Sequence, residues 1–198
     1  MIEPHNTSHS CLYGLVLSGG RSTRMGSDKG LLNYHGKNQR EFLFELLSKN
    51  CEKVFTSCNS EQNIPSYLNP LTDQFQYKSP INGILTALST APETGWIIVA
   101  VDMPHVTQEV IELLISNRNE DLVATCFFNH LEKFPEPLLT IWEPKALPLL
   151  SSFVETERIS PRAFLQENKV QLVSTNDERI FVNVNTPNEY NRVTQASN

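Results

Sequence analysis

The sequence predicts an α/β fold, a three-layer sandwich around a mostly parallel, mixed sheet. Two observations carry this. Short strand-type runs alternate along the chain with stretches whose apolar residues fall at helical spacing. The runs Leu12–Leu17 and Trp96–Val101 are apolar almost throughout, which is the pattern of strands covered on both faces.

The elements follow in order. Leu12–Leu17 is continuous apart from Gly14, and Gln39–Asn50 sets Phe42, Leu43, Leu46 and Leu47 on a helical stripe. Lys53–Cys58 is a short β-type run, and Ile81–Thr90 reads as a helix opening just after Pro80. Trp96–Val101 is a second buried strand. Thr107 is placed to cap a helix over Thr107–Arg118. Leu122–Phe128 and Leu138–Trp142 read as strands, Ser160-Pro161 as the cap and first residue of a short helix, and Val170–Ser174 as a weaker strand. Phe181–Val184 reads as a last strand. Thr186-Pro187-Asn188-Glu189 then supplies a cap, a first-turn proline and a capping-box glutamate. Sheets of this kind take ligands outside the carboxyl ends of their strands, so motifs at strand ends carry most weight.

The 198 residues fit one domain over 12–198, preceded by a loose polar extension over 1–11. Hydrophobic residues at 39% and charged residues at 19% suit a globular chain rather than a disordered one. A net charge of -6 gives no global attraction for nucleic acid or for an anionic membrane, so neither is expected as a partner. An anionic substrate must then be met by local cations and backbone N–H groups. No apolar run approaches the roughly 20 residues of a membrane span, and the N-terminus holds no export signal, so the cytoplasm is the expected compartment. Cys11, Cys51, Cys58 and Cys126 form no CxxC or CxH pattern, which argues for reduced thiols rather than zinc. His35, His105 and His130 have no metal spacing either.

Gly19, Gly20 and Gly26 follow directly on the first strand, among Arg21, Arg24 and Lys29. Adjacent glycines let the chain turn sharply and bring amides close to an anion, and the cations can neutralise a triphosphate. The spacing is neither a Walker A box nor GxGxxG. Asp102 follows the apolar strand, where a carboxylate can hold Mg²⁺ together with substrate phosphates. Asn183 and Asn185 lie two apart, on one face of the expected last strand. No Ser-His-Asp or Cys-His arrangement is present, and transfer between phosphates needs no side-chain nucleophile.

The stretch LSGGRSTRMGSDKGLL, residues 17–32, resembles the LAGGxSxRMGxDKxLL signature of molybdenum cofactor guanylyltransferases, the MobA-like nucleotidyltransferases. The resemblance continues in Ser79-Pro-Ile-Asn-Gly83 (similar to GPLxG), Val101-Asp-Met-Pro104 (CDxP) and Phe181-Val-Asn-Val-Asn-Thr-Pro187 (FxNxNTP), in the same order. It implies a Rossmann-like nucleotidyltransferase fold and transfer of GMP from GTP to the terminal phosphate of molybdopterin, with release of pyrophosphate. It implies catalytic roles for Arg24, Lys29 and Asp102, with Asp102 the Mg²⁺ ligand. GTP would be held by Leu17, Ser18, Gly19, Gly20, Lys29, Ser57, Asp73, Gly83 and Asp102, and the acceptor by Asn183, Asn185 and Arg162. Transient contact with other cofactor-biosynthesis proteins is a further implication.

The chain departs from the pattern at Ser18 (usually alanine), at Ser79 (usually glycine), at Ser57 (where relatives often carry asparagine, a role open to Asn59) and at Glu136-Pro-Leu138 (often His-Pro-Thr). Relatives that use CTP tend to carry Ala-Ala-Gly at positions 18–20, so Gly19-Gly20 favours guanine. Cytidylyl transfer, a nucleotide-binding module without turnover and a sugar-phosphate nucleotidyltransferase are the competing readings.

Overall fold

The computed structural model describes residues 10–19 and 28–196. Within it, seven strands form one mixed sheet: β1 (Leu12–Leu17), β2 (Lys53–Cys58), β3 (Pro70–Thr72), β4 (Gly95–Ala100), β5 (Ala124–Asn129), β6 (Phe134–Trp142) and β7 (Gln171–Val173). Their order across the sheet is β3-β2-β1-β4-β6-β5-β7. β6 runs antiparallel to β4 and β5, and the other neighbours are parallel. Six α-helices accompany them: α1 (Gln39–Ser48), α2 (Ile81–Thr90), α3 (Gln108–Ser116), α4 (Ala146–Glu155), α5 (Pro161–Glu167) and α6 (Pro187–Ala196).

Alternating side chains on the same strands feed two cores. Val16, Val54, Ile97 and Val99 pack with Leu43 and Leu47 of α1 and with Ile111 and Leu114 of α3. Leu15, Leu17, Trp96 and Ile98 pack on the opposite face with α2, α4 and α5. This double burial is why the central strands are apolar along their whole length.

The caps form as their residue types require. Thr107 Oγ1 accepts from Val110 N, and Ser160 Oγ accepts from Ala163 N. Thr186 and Glu189 bond reciprocally at the start of α6.

Three elements differ from the sequence expectation. Phe181–Val184 is not a strand. A 3₁₀ turn covers Glu178–Phe181, started by Asp177 Oδ1 accepting from Arg179 N, and it sends Ile180 and Phe181 into the core. β3 is a three-residue edge strand with no apolar pattern to announce it. β6 begins at Phe134, ahead of the expected Leu138, despite Pro135 and Pro137. Both prolines lie beyond the Leu139–Trp142 stretch paired with β4, so neither removes a ladder bond on that side. Ordered contacts also begin before Leu12, because Ser10 bonds Glu120 and accepts from Arg118.

Arg118 and Glu143 form a buried two-bond ion pair, with Nε to Oε1 at 2.7 Å and Nη2 to Oε2 at 2.8 Å. Gly95 admits it: a Cβ there would stand 2.4 Å from Arg118 Nη2. Arg118→Met strands the Glu143 carboxylate and should lower the unfolding free energy by about 3–5 kcal/mol in urea denaturation. The pair Arg118→Met, Glu143→Leu should regain much of that loss.

Candidate functional site at the carboxyl edge of the sheet

The parallel registers bring Leu17, Ser57 and Ala100 level with one another at the carboxyl ends of β1, β2 and β4. The chain beyond each end turns into one shared region. Val101 N donates to Leu17 O, and Val184 N donates to Asp102 O at 2.8 Å, so the segment after the 3₁₀ turn is laid against the end of β4.

Lys29 is the junction. Its Nζ lies 3.1 Å from Asp102 Oδ2 and 2.6 Å from Asn185 Oδ1. Three segments distant in sequence therefore meet at one ammonium group. Among the described residues the other Asp102 oxygen, Oδ1, is buried without a hydrogen-bond partner, and so is Asn183 Oδ1. Buried acceptors without donors cost free energy unless something cationic or protic meets them. The Asp102 carboxylate, a hard oxygen donor beside a lysine, suits a Mg²⁺ ion, which would take further ligands from substrate and water. Among the described residues no group of three or more His, Cys, Asp and Glu could hold a metal alone.

Beside this junction lies an open cleft of about 590 Å³, lined by Leu17, Gly19, Ser57, Asn59, Asp73, Lys78 and Gly83 among others. Its floor is tightly fitted. A Cβ on Gly83 would stand 2.4 Å from Leu17 Cδ1 and 3.0 Å from Ser57 Oγ. Ser57 Oγ donates to Asp73 Oδ1 at 3.1 Å, while burial raises the Asp73 pKa and that bond opposes the rise.

Most of the residues singled out in the sequence gather on this edge. Leu17, Gly19, Ser57, Asp73 and Gly83 line the cleft, and Lys29, Asp102 and Asn185 are in contact. Gly20 and Arg24 lie outside the described residues, as do Arg21 and Gly26. Asn185 reaches Lys29 from the segment after a 3₁₀ turn, not from the expected strand, and the Asn183 amide donates to Phe181 O at 3.4 Å. Ser18 is buried and accepts from Arg40 Nε at 2.9 Å through a side chain absent in relatives that carry alanine. Arg162 stacks over the Phe134 ring at 3.3 Å, outside the cleft lining. His35 is a packing residue, bonded to Pro104 O and stacked on Phe42.

Gln62 and Arg40 lie outside the family motifs, and Glu136 is marked in the sequence only as a departure from them. Gln62 Nε2 donates to Ser18 O at 3.0 Å. Glu136 is buried on β6, within the electrostatic reach of both Arg162 and Asp102. A glutamate between two prolines was the available signal.

A family model described as the MobA-like NTP transferase domain matches residues 14–193. A molybdenum cofactor biosynthesis bifunctional protein of Synechocystis is 36% identical over 195 residues, covering 95% of this chain; the chain spans 55% of that relative's length. A molybdenum cofactor guanylyltransferase of Vibrio atlanticus is 29% identical, with 96% of each chain covered. The crystal structure of molybdopterin-guanine dinucleotide biosynthesis protein A from Archaeoglobus fulgidus superposes with a TM-score of 0.77 at 23% identity, over 93% of this chain and 98% of that one. At that identity the superposition speaks for the fold.

Burial pushes the Glu136 carboxyl up from its ordinary 4.5 to about 7, although the Leu138 N–H and Arg162 oppose the rise. The folded protein therefore holds this proton where the unfolded chain has released it. Stability conferred by the neutral form is complete below about pH 4.5 and is lost as pH rises through about 7, by up to about 3 kcal/mol. Glu136→Gln should flatten this part of the urea-stability profile. An identical slope in the variant would contradict the assignment.

Proposed function

As a member of the MobA-like NTP transferase domain family, the chain is a nucleotidyltransferase, and we propose that it transfers GMP from GTP to the terminal phosphate of molybdopterin, releasing pyrophosphate. The observation that carries this reading is the meeting of Lys29, Asp102 and Asn185 beside a nucleoside-sized cleft.

The chemistry joins two anions, so the protein's task is to position them and offset their charge. The base and ribose occupy the cleft against Leu17, Gly19, Ser57, Asp73 and Gly83. The triphosphate extends from it toward the Gly-rich segment and Lys29. Lys29 Nζ can exchange the carboxylate of Asp102 for phosphate oxygens, since its contacts are hydrogen bonds on a rotatable stem. A Mg²⁺ ion on Asp102 would offset the charge of the phosphates. The amides of Asn183 and Asn185 face the acceptor, and Arg162 can attract its phosphate. The acceptor oxygen attacks the α-phosphorus of GTP in line, the bond from that phosphorus to the bridging oxygen breaks, and pyrophosphate leaves with the electron pair. The acceptor phosphate is already anionic, so no side chain need remove a proton. Absence of a side chain on Gly19 leaves space for a purine and favours GTP over CTP.

The test is pyrophosphate release from purified protein with Mg²⁺, molybdopterin and either GTP or CTP. Release with GTP is expected, and Asp102→Asn should lower it by about 10²-fold or more while the protein stays folded. Faster turnover with CTP would overturn the base assignment. Bound GTP without any release would favour a binding module, and turnover with a hexose-1-phosphate in place of molybdopterin would overturn the acceptor. Lys29→Ala should weaken GTP binding by about 1–3 kcal/mol in calorimetry.

A further inference from the structure

We propose that Arg40 is a positioning residue that clasps the two ends of the Gly-rich segment and thereby sets where Lys29 meets the triphosphate. The inference rests on the nucleotidyl-transfer reading above and names a part of that site which the signature residues do not include.

Arg40 lies in the first turn of α1 and is 2% exposed. It shares the helix face of Leu43 and Leu47, three and seven residues on, so a charged side chain stands where the pattern calls for an apolar one. Its Nε donates to Ser18 Oγ at 2.9 Å, immediately upstream of the segment. Its Nη2 donates to Asp28 Oδ2 at 2.6 Å, immediately downstream. The other Asp28 oxygen accepts from Gly30 N at 2.9 Å and starts the short 3₁₀ turn Lys29–Leu31. The guanidinium therefore holds Ser18 directly, and through Asp28 it holds the backbone that carries Lys29.

Gly30 is fitted to this arrangement. A Cβ there would stand 2.6 to 2.8 Å from Nη2, Cζ and Nε of Arg40, closer than side chains approach one another. Only a residue without a side chain lets the guanidinium close over the turn.

Stability alone does not explain such a choice. Withdrawing a guanidinium from water is costly, and an apolar side chain of similar size packs as well or better at a buried site. What arginine adds is a rigid fork with donors in fixed directions, able to bind two partners at once, which the single ammonium of lysine does not reproduce. Here those partners, Ser18 and Asp28, stand on either side of the Gly-rich segment in the sequence. The Ser18 hydroxyl, a departure from the usual alanine, is one of the two acceptors.

The experiment compares wild type, Arg40→Met, Ser18→Ala, Gly30→Ala and the Arg40→Met, Ser18→Ala pair. The readouts are GTP affinity by calorimetry, stability in urea and amide hydrogen exchange by mass spectrometry. Arg40→Met should accelerate exchange in peptides spanning residues 18–31 and leave β4 and β6 peptides unchanged. It should raise the GTP dissociation constant roughly 10- to 100-fold, and Ser18→Ala should add nothing in the Arg40→Met background. Should Arg40→Met not fold, Ser18→Ala and Gly30→Ala carry the test, since each disturbs one contact of the clasp, and both should weaken GTP binding and loosen the same peptides. Unchanged exchange and GTP affinity in the folded variants would overturn the proposal, as would simply additive effects in the pair. Wild-type protein that binds no GTP would instead contradict the nucleotidyl-transfer reading, and the exchange data would still judge the clasp.

Discussion

The contact on which the site depends is Lys29 Nζ held between Asp102 and Asn185. It links the segment after β1, the turn after β4 and the segment before α6, which have no local reason to meet. The parallel register supplies that reason, because Leu17 lies level with Ala100 and the two chain exits emerge side by side. A chain with net charge -6 has to build its cationic site locally, and one lysine beside one carboxylate does so in a way that can be rearranged. Asp102 and Asn183 each keep a buried oxygen without a hydrogen-bond partner among the described residues. Such atoms are a cost in the folded protein, of the kind retained where a ligand will meet them.

Beside this junction the cleft floor is closely packed. Leu17, Ser57, Asp73 and Gly83 pack so closely that a single added carbon at Gly83 has no room, so the cleft floor is set by the fold rather than by the ligand. Asp28 bonds both Arg40 and the backbone N–H of Gly30, next to Lys29. Away from the cleft lining the material differs. Arg162 rests on an aromatic face, and Glu136 is buried with a raised pKa.

The central strands and α2 were legible in the sequence because they are buried on two sides, and continuous apolar runs leave one reading. Caps were legible because Thr107, Ser160 and Thr186 act through their own side chains on the next turn. What was not legible depended on partners far along the chain. The run Phe181–Val184 has strand-like composition, yet Asp177 starts a 3₁₀ turn ahead of it and the core accepts Ile180 and Phe181 from that turn. β3 pairs only with β2, at the sheet edge, and β6 carries its prolines beyond the stretch paired with β4 and around the register shift against β5. Of the candidate site, the resemblance marked Lys29, Asp102, Asn185 and the residues lining the cleft, while Arg40 and Gln62 escaped. Helical spacing puts Arg40 on the buried stripe of α1, a conflict between pattern and charge that is visible in the sequence once looked for.

The most direct measurement is a crystal structure of the protein soaked with GTP and Mg²⁺. The account predicts the guanosine in the cleft bounded by Leu17, Ser57, Asp73 and Gly83, the ion on an Asp102 oxygen, and Lys29 Nζ moved from Asp102 to the phosphates. A triphosphate bound elsewhere, with the Lys29–Asp102 contact intact, would contradict it.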